Sequence, residues 1–202
     1  MTDNLMTKPS SVVDDVDLAR AREYSLLSTL LLRSPDPDLI SRLANLGGDS
    51  NPLGKAHAAL AEAAARLDAE RVAREYFDLF VGVGRGELLP YASFYLTGSL
   101  HARPLARLRE TLLRMGIERA DWLTEPEDHV GVLFEIMAAL AAGDISSHAQ
   151  TDREIFQSHL APWIGRFFKD LEHAKSADFY ARVGAMGRIF MEIEMEAFTI
   201  QT

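Results

Sequence analysis

The chain has 202 residues, no cysteine and a formal net charge of −9, a length that suits one domain with a full hydrophobic core. The missing cysteines exclude a disulfide framework, a thiolate zinc site, an iron–sulfur cluster and a cysteine nucleophile. The acidic balance disfavours a nucleic-acid partner, whose phosphates it would repel.

Ala and Leu contribute 27 residues each against 9 each for Val, Ile and Thr, so the predicted fold class is all-α. Largely apolar stretches such as Ser25 to Leu32, eight residues, fall far short of the ~20 that span a bilayer. The first fifteen residues lack the apolar core of a secretory signal. No membrane insertion and a cytoplasmic location are expected.

Residues 1–13 read as a flexible N-terminal arm and residues 14–202 as one all-helical domain of roughly nine helices. Asp14 and Asp15 precede a helical stripe through Leu18, Ala21, Tyr24, Leu27, Leu30 and Leu31, stopped near Arg33 by Pro35. Asp36-Pro37 and Asn51-Pro52 are start signals for a short helix ending at Gly47 and Gly48 and for an Ala-rich helix to about Leu67. Val72, Tyr76, Leu79 and Phe80 mark another. The periodicity fails between Gly82 and Ser93, where four Gly or Pro residues predict an irregular segment and a hinge. It resumes from Pro104 to Met115, with Gly116 as the C-terminal cap. Thr124 and Glu127 form a capping box that predicts a helix from there to about Ala142, stopped by Gly143. Segments over 148–160 and 162–174 lead to a final helix from Ser176.

Gly82, Gly84 and Gly86 invite a nucleotide-loop reading, but Glu87 stands where the dinucleotide fingerprint needs glycine and the Lys-Ser/Thr of a P-loop is missing. A structural bend is the simpler reading. Glu125-Pro126-Glu127-Asp128-His129 is the densest run of ionisable groups, and its carboxylates should favour a protonated His129. It has no metal-ligand spacing, so no metal, cofactor or catalytic residue is assigned. On a helix begun at Thr124, Asp128 would share a small-residue face with Val132, Glu135, Ala139 and Ala142, while His129 would edge the apolar stripe of Leu133, Ile136 and Leu140. His57, His101, His148, His159 and His173 show no ligand spacing and read as surface residues. Tyr76, Phe77 and Phe80 before the Gly-rich segment, and Tyr91, Phe94 and Tyr95 after it, read mostly as core. They could also rim a groove for an amphipathic peptide.

Glu75-Tyr76 with Leu79-Phe80, Pro90-Tyr91 with Ser93 and Tyr95-Leu96, Pro104-Leu105, Leu108-Arg109, and Glu125-Pro126-x-Asp128-His129 with Gly131, Glu135 and Met137 closely resemble the TorD/DmsD family of redox-enzyme maturation chaperones, of which NarJ-type proteins are distant relatives. The resemblance covers most of the chain and is strongest from Glu75 to Leu140. It implies an all-helical, cytoplasmic, non-catalytic protein. Its partners would be the twin-arginine leader and the apo catalytic subunit of a molybdopterin oxidoreductase, held back from export until the cofactor is installed. Carried over by position, the leader site includes Pro90, Tyr91, Ser93, Tyr95, Asp128 and His129. The aromatic residues Tyr76 and Phe80 and the acids Glu125 and Glu127 extend it with what a cationic, partly apolar peptide requires. Members carry a tryptophan near the Pro-Tyr pair, where this chain has Tyr91, which leaves the particular client open. The alternatives are a nucleotide-binding or hydrolysing protein built on Gly82–Gly86, and a helical interaction protein whose client has no signal peptide.

Overall fold

The structure, a computed structural model, describes residues 14–118, 123–145 and 151–200. The arm expected over 1–13, His148 and the start of the segment expected from 148 lie outside them. The described residues form ten α-helices and no strand: α1 (Asp15–Leu32), α2 (Pro37–Leu43), α3 (Pro52–Arg66), α4 (Ala69–Tyr76), α5 (Ala92–Thr97), α6 (Arg103–Arg114), α7 (Val130–Ala142), α8 (Thr151–Ile155), α9 (Ile164–Glu172) and α10 (Phe179–Ile200). Single π-helical turns, Phe77–Val81 and Phe156–Leu160, extend α4 and α8.

Local signals set most of the boundaries. Asp14, Asp36, Asn51 and Asp68 each accept a hydrogen bond from the backbone N–H three residues on, filling a donor that the first helical turn cannot satisfy itself. Gly98 and Gly143 end α5 and α7 in the left-handed conformation.

The core lies where α1, α7, α9 and α10 meet. Tyr24 of α1 is fully buried between Phe134 of α7, at a ring-centroid distance of 5.4 Å, and Phe190 of α10, at 4.8 Å. Phe134 in turn stacks on Phe168 of α9 at 5.9 Å. Gly187 presents its bare Cα to the Phe168 ring, which occupies the space of any side chain there. Helix α1 packs most extensively on α7, and the Ser28 hydroxyl donates to the Gly131 carbonyl at 2.8 Å.

Two carboxylates inside this frame hold helices together. Glu75 of α4 accepts from the N–H groups of Asp178, Phe179 and Tyr180, at 2.8, 3.1 and 2.6 Å, and so caps α10 from outside it. Glu194 of α10, 1% exposed, accepts from Arg20 Nε and Nη2, each at 2.9 Å, and from the Tyr24 hydroxyl at 2.8 Å.

Removing one partner of a buried ion pair strands the other charge, whereas replacing both by apolar side chains is often neutral. Arg20→Met should therefore lower unfolding stability by about 3 to 5 kcal/mol, and Arg20→Met with Glu194→Met should recover part of that, the buried Tyr24 hydroxyl being left without its acceptor. Denaturant unfolding of wild type, both single variants and the double variant measures the coupling; additive losses would show that the pair holds nothing.

Candidate functional site

Between the first π-helical turn and α5 the chain runs outside any helix, and its backbone polar groups need partners. Gly82, at φ 62°, turns where a Cβ would strike the Arg85 carbonyl. The N–H groups of Glu87 and Leu88 then return to the carbonyls of Asp78 and Leu79, at 3.1 and 2.8 Å. The Glu87 carboxylate accepts from the N–H groups of Lys175 and Ser176 at 2.7 and 3.1 Å. The glycines thus follow a helical turn, with the next helix beginning only at Ala92. A phosphate-binding loop needs a strand before it and a helix directly after it.

The next residues pair with the segment ahead of α7. Tyr91 and His129 form an isolated antiparallel bridge, flanked by Val130 N–H to the Pro90 carbonyl at 2.8 Å and Ala92 N–H to the Asp128 carbonyl at 2.9 Å. The Asp128 carboxylate, 1% exposed, accepts from the Ser93 N–H at 2.8 Å, serving as the N-terminal acceptor that α5 lacks in its own sequence.

This corrects the capping box expected at Thr124 and Glu127. Residues 123–129 are not helical, and α7 starts at Val130 with His129 as its N-cap. The reason is the bridge: pairing with Tyr91 holds His129 itself extended, and the residues before it form a turn closed by the His129 N–H on the Pro126 carbonyl at 3.0 Å. The small-residue face expected to carry Asp128 therefore begins at Val132 without it, and Asp128 points inward.

His129 also differs from its expected charge state. Its Nδ1 accepts from the Gly131 N–H at 3.1 Å, so its proton sits on Nε2. Burial outweighs the nearby Glu125 and Asp128 and depresses its pKa to about 4. His159, expected at the surface, is 8% exposed with Nε2 3.0 Å from the Thr111 hydroxyl, and His57 pairs with Glu23 at 2.9 Å.

The residues singled out in the sequence divide into three groups. Tyr91, Glu125 and His129 come together: the Tyr91 hydroxyl donates to Glu125 Oε2 at 2.7 Å, and its ring meets the His129 ring edge-on at 5.0 Å. Tyr76 adjoins them, burial and then the Glu125 charge raising its pKa. Pro90, Ser93 and Asp128 are the buried framework beneath. The rest face elsewhere. Phe80 packs on Tyr76 and Tyr180 at 5.1 and 5.4 Å, Tyr95 on Trp163 and Phe167 at 5.5 and 5.8 Å, and Glu127 is bound by Arg109 of α6 at 2.8 Å. That pairing across 18 residues leaves no periodic trace in the sequence.

Glu125 makes no ion pair with any described residue. It lines a basin of about 320 Å³ between the end of α1 and α7, with Ser28, Thr29, Leu32, Arg33, Thr124 and Glu135. Sequence reasoning placed Glu135 on the right face and assigned it no role. The described residues contain no group of three His, Asp or Glu side chains placed to hold a metal ion, and no described helix is long and apolar enough to cross a membrane.

The family model described as nitrate reductase delta subunit matches residues 47–169. The chaperone protein TorD of Vibrio cholerae is 28% identical over 195 residues, spanning 86% of this chain and 89% of that protein. The chaperone protein TorD of Shewanella loihica is 27% identical over 218 residues, spanning 95% and 99%. A crystal structure of a redox enzyme maturation protein from Archaeoglobus fulgidus superposes with a TM-score of 0.56 at 20% identity, over 95% of this chain and 99% of that one, a likeness of fold.

The depressed His129 pKa makes a signed prediction. Between its ordinary value of 6.5 and about 4, the unfolded chain takes up a proton that the folded chain refuses. His129's contribution is therefore complete above pH 6.5 and falls by about 3 kcal/mol as the pH drops to 4. His129→Asn keeps a short acceptor for the Gly131 N–H without the ionisation. The stability difference between wild type and this variant should shift by about that amount in the variant's favour from pH 7 to 4; a constant difference across chemical denaturation at several pH values would refute it.

Proposed function

This chain belongs to the nitrate reductase delta subunit family of TorD-type chaperones, and we propose that it is a cytoplasmic chaperone that binds the twin-arginine leader of a molybdopterin oxidoreductase. In this reading it engages the apo catalytic subunit through that leader and delays export until the cofactor is in place. The family role is that of a chaperone, not a catalyst, and the molybdopterin belongs to the client.

The observation that carries the reading is Glu125. A half-buried carboxylate in a basin, with no ion-pair partner among the described residues and only the exposed Arg33 on the rim, is a poor arrangement for stability and a good one for receiving a cation. Tyr91 donates to Oε2 and orients the group, leaving Oε1 for an incoming donor. A guanidinium presents a planar fork of N–H groups that can bind both a carboxylate and neighbouring hydroxyls, whereas an ammonium is a point charge. The neutral His129 behind Tyr91 adds no positive charge to compete with it.

In this mechanism Pro90, Ser93 and Asp128 position the site rather than touch the peptide. Tyr76 adjoins the site with Phe80 packed behind it, and Tyr95 and Glu127 brace the packing of α5 and α6.

Isothermal titration calorimetry of the full chain with the twin-arginine leader of its client and with a twin-lysine version tests the proposal. The arginine peptide should bind at least about tenfold more tightly, and Glu125→Gln should remove most of that preference. Equal affinity for the two peptides, or an unchanged preference in the variant, would withdraw Glu125 from the site.

A further inference from the structure

Helix α5 contributes no residue to the basin that holds Glu125. At its far end Leu96 and Leu100 are 41% and 42% exposed, on either side of the left-handed turn at Gly98. Three arginines surround this apolar tip. Arg85 lies over the Phe94 ring at 5.1 Å and Arg166 over the Tyr95 ring at 5.5 Å, and Arg166 also donates to the Tyr95 carbonyl. Arg107 of α6 borders a hollow of about 400 Å³ whose apolar side is formed by Ala92, Leu96, Pro104 and Leu108.

All three arginines are exposed, and none makes an ion pair with a described residue. Arg109 and Arg114, their neighbours on α6, are by contrast bound by Glu127 and Glu154. Two other carboxylates share the neighbourhood, Glu110 on the wall of the hollow and Asp170 by the Tyr95 hydroxyl, and neither pairs with the three. A guanidinium stacked on a ring is held in place with its N–H edge still open. Ala92 and Leu96 share one side of α5, and Phe94 lies about 200° around the helix from Ala92. Arg107 and Arg85 therefore flank α5 on opposite sides, separated by roughly a helix diameter of 10–12 Å.

We propose that this end of α5 is a docking surface for an acidic, amphipathic helix of another protein. Its apolar stripe covers Leu96 and Leu100 and enters the hollow, while carboxylates on its two sides meet Arg85, Arg107 and Arg166. Charge complementarity carries the choice of partner. In a chain of net charge −9, cations are left without carboxylates on both sides of an exposed apolar tip, and forks already held in place lose little freedom on binding. A cationic leader is repelled here, so the surface is independent of the leader site. An anionic membrane fits less well, because the overall charge repels it and a concave hollow suits an inserted side chain better than a lipid plane.

The test uses the full chain and a fluorescein-labelled synthetic helical peptide of about 18 residues, with leucines along one stripe and glutamates on both sides, beside versions with glutamine or lysine for glutamate. Fluorescence anisotropy should show the glutamate peptide binding at least about tenfold more tightly than the glutamine peptide. Arg85→Gln with Arg107→Gln should remove that preference, and Leu96→Ser should weaken both peptides. Arg85→Glu with Arg107→Glu should transfer the preference to the lysine peptide, a change that loss of folding cannot mimic. A glutamate peptide that binds no better than the glutamine version, or a preference that survives the arginine substitutions, would overturn the proposal. So would tighter binding to vesicles of phosphatidylglycerol and phosphatidylcholine lost in the same variants, which would mark a membrane-facing surface, or a dimer in sedimentation velocity that Leu96→Ser dissociates, which would mark a contact between copies. If the glutamate preference holds while no twin-arginine leader binds, the leader-binding reading falls and this surface stands.

Discussion

The candidate site depends on one short piece of non-helical pairing. Tyr91 and His129 bridge two segments that would otherwise be loops, and four groups around them satisfy one another: the Pro90 and Asp128 carbonyls and the Val130 and Ala92 N–H groups. Buried backbone donors and acceptors need partners, and in a helical protein a stretch between helices has few to choose from. The Asp128 carboxylate completes the arrangement by capping α5 through Ser93. With the bridge in place, Tyr91 must face Glu125 and His129 must begin α7.

Two kinds of carboxylate bear on the core and the candidate site. Glu75, Asp128 and Glu194 are buried and fully engaged, with backbone N–H groups or with Arg20 and Tyr24, and each joins elements distant in sequence. Glu125 and Glu135 are half-buried and face a concavity in which neither makes an ion pair with a described residue, although the exposed Arg33 lies on its rim. The first kind stabilises the fold, and the second costs stability unless something positive arrives. A net charge of −9 places this contrast in an already negative field, which favours encounter with cationic peptides.

Short-range chemistry was the legible part of the sequence. Asp36-Pro37 and Asn51-Pro52 opened helices where expected, and Gly143 ended α7, because caps and prolines act within one turn. The irregular segment after Gly82 was visible for the same reason. The start of α7 was misread because Thr124 and Glu127 satisfy a local rule that a tertiary bridge overrides. His159 read as a surface residue because its partner Thr111 is 48 positions away. The acidic run was identified as chemistry-bearing, yet the division within it into Glu125 open, Glu127 paired with Arg109 and Asp128 buried depends on contacts with α5 and α6 that no spacing encodes.

A chaperone that delays its client must also release it, and the proposed site is built for moderate rather than extreme affinity. Fully burying Glu125 would strengthen a charge-assisted bond to arginine, but it would also raise the cost of the empty state, since the isolated carboxylate would have to be desolvated. Keeping it half-exposed and anchored by a neutral hydroxyl limits both effects. Arg33 on the rim works in the same direction, opposing the leader's cations without blocking the basin. His129, neutral through the physiological range because burial depresses its pKa, keeps the wall behind Tyr91 from adding a second opposing charge. In the proposed mechanism the balance between holding and releasing the leader is set by the open acids of the basin against one exposed base, on a framework in which the Pro90 and Asp128 carbonyls and the Ser93 N–H are already paired.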